Sequence, residues 1–181
     1  MERSQLEHVL RASAAITNCR DFVVIGSQAV LGEHPDAPAE LLQSREVDIY
    51  PLDLPELADL IDGSIGEGSP FDETFGYYAQ GVGPETAVLP DMWQLRVVRV
   101  DNPNTGGAVG CCLETHDLAL SKYAANREKD RIFVQALHRH GLVQVAELLK
   151  RLASLPVPDG QRERIAQLIA RDSAMTSPRA P

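Results

Sequence analysis

Apolar residues near the start of the chain recur at helical spacing. Leu6, Val9, Leu10 and Ile16 share one face, with the small Ser13 in the gap, which predicts a helix from about Glu2 to Thr17. The pattern then changes to an unbroken run, Phe22 to Ile25, of β-branched and aromatic residues, the signature of a strand buried on both sides. That run stops at Gly26, and a helix-compatible pattern resumes from Gln28 to Leu31. Gly26-Ser27 therefore marks a strand-to-helix turn with free backbone amides. After a Pro- and Gly-rich loop, REVDIYPLD alternates polar and apolar residues, as a half-buried strand does. Arg45, Val47 and Ile49 fall on one side of it, and Glu46, Asp48 and Tyr50 on the other.

Pro55 opens a further helix that is expected to close at Gly63. From Ser64 to Pro90 the chain is rich in Gly, Pro and single aromatics, which predicts a long loop region or an irregular hairpin. QLRVVRV and GAVGCCLE, separated by DNPNTG, read as a strand hairpin. Helical patterns fill the rest. One runs from Thr115 to Gly141 with a bend near Asn126, and two amphipathic helices span about Leu142 to Leu155 and Asp159 to Arg171. The order predicts an α+β fold: a small mixed sheet flanked by helices, with a helical C-terminal part. The expected division is 1–114 for the α/β core, 115–172 for the helical part and 173–181 for a disordered tail.

Composition narrows the field. No stretch of the 181 residues approaches the roughly 20 consecutive apolar positions that a spanning helix needs. The N-terminus carries charges throughout and lacks the pattern of a signal peptide, so the cytoplasm is the expected compartment. Cys19, Cys111 and Cys112 lack paired metal-ligand spacing and read as small apolar fillers, the adjacent pair pointing to opposite faces of one strand. A formal charge of −9 excludes a general nucleic-acid coating protein, so any RNA contact must be local.

The chemistry concentrates in two places. Glu46 and Asp48 lie at i and i+2 on one strand face, where two ionised carboxylates repel each other; a divalent cation that bridges them relieves this and offers its other positions to phosphate oxygens. Preceded by an anion-binding turn at Gly26-Ser27, the pair points to an Mg-NTP site. A solvated strand face with a chance Gly-Ser pair is the plain alternative. The second place is SKYAANREKDR, where Lys122 and Lys129 fall within ~20° of each other and Asp130 lies ~80° from Lys122 if the helix is unbroken. A lysine there suits charge neutralisation on a phosphoryl group, and an aspartate a base or an orienting role, against the alternative of a surface ion-pair ladder. His138 and His140 read as solvated residues near a helix C-terminus, Trp93 as a core anchor, and Tyr77 or Tyr78 as candidates to stack on a base.

Taken together, VVIGSQAV, SREVDIYP and LALSKYAANREKDRIF resemble the AbiEii-type nucleotidyltransferases, over about Val23 to Leu137. The family's fold is that of the polymerase-β-like nucleotidyltransferases, and the compact size resembles its minimal mycobacterial toxin branch. The resemblance implies that Gly26, Ser27 and Lys129 bind nucleotide, Glu46 and Asp48 hold Mg2+, and Asp48, Lys122 and Asp130 are catalytic. It further implies transfer of a nucleotide, a pyrimidine one, from NTP to the 3′ acceptor end of tRNA, and a small cognate antitoxin as partner. Two departures stand out. Glu46 occupies a position where Asp is commoner, and no residue clearly matches the third strand carboxylate of many polymerase-β-like enzymes, with Asp91, Asp101 and Glu114 all poorly placed. The competing expectations are a protein AMP-transferase using the same site, and a catalytically degenerate binding or regulatory module.

Overall fold

The computed structural model describes residues 1–176. The chain forms two compact units: 1–86 with 96–114, and 87–95 with the chain from Thr115 onward.

The first unit is built on five strands: β1 (Asp21–Val24), β2 (Glu46–Pro51), β3 (Tyr78–Gly81), β4 (Val98–Val100) and β5 (Val109–Cys112). Their order is β3-β2-β1-β5-β4. β1 runs antiparallel to β2 and parallel to β5, β3 is parallel to β2, and β4 is antiparallel to β5. The sheet is thus mixed, as the strand pattern predicts. Four helices accompany it: α1 (Arg3–Thr17), α2 (Val30–Glu33), α3 (Ala58–Ile65) and α4 (Pro70–Phe75).

Register makes the two sheet faces unlike. Phe22, Val24, Val47, Ile49, Ala79, Val100, Gly110 and Cys112 share one face, and all of these hydrophobic side chains are buried. Three helices press closely on it at glycines. A Cβ on Gly110 would come 2.8 Å from Leu10 of α1, one on Gly32 of α2 would come 2.5 Å from the Cys112 Cβ, and one on Gly81 would come 1.9 Å from the carbonyl of Ala58 in α3. Asp21, Val23, Glu46, Asp48, Tyr50, Tyr78, Gln80, Arg99 and Cys111 share the other face. Cys111 and Cys112 are both buried free thiols on opposite faces, as their adjacency predicts.

Three expectations for this unit are corrected. The helix that opens at Pro55, first as a 3-10 turn, passes through Gly63 and ends at Ile65 with Gly66 as its cap, because Gly63 does not take the left-handed backbone that stops a helix. The region 64–90 is neither a long loop nor a hairpin. Ser69 caps α4 by accepting from the Asp72 amide, and β3 then adds in parallel to β2. Tyr77 is not a free stacking platform either, since it lies in a cluster with His8, Phe71 and Phe75 and its hydroxyl is 2.7 Å from His8 Nδ1. The hairpin of β4 and β5 forms as expected, with a 3-10 turn between the strands.

The second unit holds α5 (Thr115–Ala125), α6 (Glu128–Arg139), α7 (Val145–Leu152) and α8 (Asp159–Thr176). The expected bend near Asn126 is a full break, with Asn126 in the left-handed region at φ 50°. His138 is buried, not solvated: its Nε2 lies 3.0 Å from the Tyr123 hydroxyl, which donates to Asp172 Oδ2 at 3.2 Å. Because that phenol proton is used on Asp172, His138 must present an N–H to the phenol oxygen. Trp93 is only partly buried, within a 3-10 turn. Helix α8 runs through Thr176, so the first residues of the tail expected to be disordered are helical, while 177–181 lie outside the described residues.

Candidate active site

The sheet face that carries Glu46 and Asp48 gathers the residues singled out on the first two strands. β1 ends in the core, and Ile25 donates its amide to the Asp48 carbonyl at 3.1 Å, which fixes the turn beside β2. Gly26 then lies so near Asp48 that a Cβ built on it would fall 1.6 Å from Asp48 Oδ2 and 2.6 Å from its Cγ. Only a residue without a side chain lets this carboxylate lie against the turn. Ser27 follows at the start of a 3-10 turn, Ser27–Ala29, that leads into α2. The expected helix from Gln28 to Leu31 is thus a tighter turn followed by one turn of α-helix.

Glu46 and Asp48 are half-buried on the same face of β2. Tyr78, the cross-strand neighbour of Glu46, donates its hydroxyl to Glu46 Oε2 at 3.4 Å. Burial, followed by the charges of Glu46 and Glu67, pushes the Tyr78 phenol up to about 12, so it is a proton donor to the carboxylate throughout the neutral range. Burial also drives the phenol of Tyr50, on the same face, to about 12. Among the described residues no group of three or more His, Cys, Asp or Glu side chains is arranged to hold a metal ion. Glu46 and Asp48 are the carboxylates of this sheet face on β2.

Sequence reasoning missed Gln28. It is wholly buried one residue after Ser27, and neither its amide nitrogen nor its oxygen has a hydrogen-bond partner among the described residues. Leaving a buried carboxamide unsatisfied costs on the order of 1–3 kcal/mol per group, so the position is unusual for a merely structural glutamine. Nothing in the pattern of the sequence distinguishes it. Tyr78 as partner of Glu46 was equally hidden, because its place depends on β3 pairing in parallel with β2.

The second unit joins Lys122 to Asp130. Lys122, near the end of α5, is 7% exposed and its Nζ lies 3.4 Å from Asp130 Oδ1 and 5.8 Å from the centre of the Phe133 ring. Asp130 is 1% exposed in the first turn of α6, where its carboxylate also accepts from Arg127 Nε at 2.7 Å and from the Arg127 amide at 3.2 Å. This is not a surface ion-pair ladder. Lys129, by contrast, is exposed on α6.

Burial opposes ionisation of Asp130, but the Arg127 hydrogen bond and the charges of Lys122 and Arg127 outweigh it and hold the carboxyl below the usual range. A carboxylate so stabilised is a weak base and a good anchor, which favours the orienting role over proton abstraction. Since its folded pKa is depressed, its contribution to stability is complete above the ordinary value of 3.8 and is lost as pH falls through the lower folded value. Asp130→Asn should therefore be less stable than wild type at neutral pH, and the gap should narrow in acid melts followed by circular dichroism between about pH 5 and pH 2.

The first unit thus sets a turn without room for a methyl group against two half-buried carboxylates on one sheet face. The family model described as "Nucleotidyltransferase of unknown function (DUF6036)" matches residues 4–169, and the chain belongs to that family. No curated protein and no solved structure matches it. Membership in a nucleotidyltransferase family implies a nucleoside triphosphate substrate. Among the described residues, no helix is long and apolar enough to cross a membrane.

Proposed function

We propose that this nucleotidyltransferase moves a nucleoside monophosphate, a pyrimidine one, from Mg-NTP to the 3′ acceptor end of tRNA, and that it acts as the toxin of an AbiEii-like pair with a small antitoxin. The observation that carries the donor half is the seating of Asp48 against Gly26 beside Glu46. The donor set suits magnesium, a hard cation that takes one or two carboxylates and fills its other positions with phosphate oxygens and water. When bound, the metal polarises the phosphoryl oxygens under attack. Asp48 and Glu46 would hold it, the turn at Gly26 and Ser27 would receive phosphate oxygens on its backbone amides, and Lys129 would contribute positive charge for the nucleotide. Lys122, oriented by Asp130, neutralises charge on the transferred group.

The acceptor half rests on charge. Counted over the sequence of each unit, the first carries 18 acidic and 6 basic residues and the second 8 acidic and 11 basic, so the net −9 divides into −12 and +3. A polyanion is repelled by the first unit and tolerated only at the second, where Arg127, Lys129, Arg131 and Arg139 are exposed on or beside α6.

Purified full-length chain incubated with Mg2+, each labelled NTP in turn, total RNA and total protein tests this. Label is expected in tRNA with CTP or UTP; label in protein with ATP would instead establish AMP transfer. The second reading is a nucleotide-binding module without turnover, favoured by the Tyr78 bond that engages Glu46 and by the shortage of a third strand carboxylate. No label in any polymer with any NTP, together with saturable NTP binding, would decide for it.

A further inference from the structure

β1 and β5 run parallel, so Gly26 lies at one end of the pair and Arg20 and Ala108, the residues that enter these strands, lie at the other. Six residues of extended chain separate the two ends by about 20 Å. At the Arg20 end there is a cavity of about 480 Å³ whose lining includes Arg11 and Arg20, the partly exposed thiol of Cys19, Gly106 and Gly107, with alanines between them.

The two arginines stand out against their own unit. Acids outnumber bases there three to one, and Arg3, Arg45 and Arg99 are each paired with a carboxylate. Arg11 and Arg20 are ion-paired with none among the described residues. Arg11 donates to the carbonyl of Asn104, and its stem lies across Gly106, where a Cβ would come 3.1 Å from Arg11 Cδ. Gly106 and Gly107 sit at φ 63° and 93°, a backbone that favours glycine, and the Arg11 stem packs over Gly106. In a unit of net charge −12, these two exposed guanidiniums without carboxylate partners give one concave surface a local positive charge.

We propose that this cavity is a second anion site, taking the phosphate group of either free phosphate or a nucleotide between Arg11 and Arg20, apart from the donor turn at Gly26. Guanidinium groups present paired donors that fit phosphate oxygens, and the volume exceeds what one phosphate fills, leaving room for an attached nucleoside. The inference does not depend on the transfer reading.

Cys19 reports on this cavity alone, because Cys111 and Cys112 are buried. The native full-length chain is alkylated with iodoacetamide, a neutral reagent, while inorganic phosphate or a nucleoside monophosphate is titrated against sodium chloride of equal ionic strength. Modification at Cys19 is followed by peptide mass spectrometry. Saturable slowing by phosphate, or by the nucleotide alone, is expected for wild type and for Asp48→Asn, and which probe protects identifies the source. Arg20→Gln and Arg11→Gln, each checked for an unchanged melting temperature, should weaken protection by at least about tenfold. Equal protection in both arginine variants, protection matched by chloride, or no protection at all would overturn the proposal.

Discussion

Asp48→Asn should abolish nucleotide transfer, by about a thousandfold or more, while leaving the fold intact. The substitution keeps the size of the side chain and removes only the charge from a half-buried position on β2. Glu46 and Asp48 are two residues apart on the same side of that strand, so neutralising one also relieves their mutual repulsion. The melting temperature should accordingly stay level or rise, which separates loss of chemistry from loss of structure. The discriminating measurement is transfer from labelled NTP alongside a thermal melt. A variant that still transfers at more than a tenth of the wild-type rate would remove Asp48 from the site, and growth inhibition on expression should vanish with the transfer.

Gly26→Ala is the second large effect, and its cause is steric. The added methyl would fall 1.6 Å from Asp48 Oδ2, so either the carboxylate swings away or the turn after β1 shifts. Overpacking of this kind costs about 1–3 kcal/mol, and roughly 3–10 °C in melting temperature is expected for a chain of this size. Transfer should fall with it, since the carboxylate would no longer lie where β1 ends. The origin can be isolated by a double-mutant cycle. In an Asp48→Ala background the atoms at 1.6 and 2.6 Å are gone and only the Cβ contact at 2.9 Å remains, so the stability cost of Gly26→Ala should shrink by about 1 kcal/mol. Strict additivity would mean that the clash is relieved elsewhere.

Much of the core was legible because local pattern and tertiary environment agree there. The run Phe22 to Ile25 is apolar because β1 is central in the sheet, and the alternation in β2 exists because one face meets α1 to α3 while the other carries Glu46 and Asp48. The hairpin of β4 and β5 is announced by its Asn, Pro and Gly turn. What stayed hidden depends on long-range pairing. β3 is four residues long and reads as loop; only its parallel register with β2 makes Tyr78 a partner of Glu46. His138 looks like a dipole-favoured helix end until Tyr123 and Asp172, 15 residues before it on α5 and far along α8, close over it. Gln28 was invisible for the opposite reason, since what sets it apart is the hydrogen bonds that its buried carboxamide does not make.

The break at Asn126 brings Lys122 and Asp130 together. Along a continuous rod, eight residues would set Lys122 and Asp130 about 12 Å apart, too far for contact whatever their angle around the axis. One left-handed backbone torsion folds that length back and leaves 3.4 Å between ammonium and carboxylate. The couple is therefore written into the path of the main chain as much as into the two charged side chains, and an uncharged residue holds part of the electrostatic design.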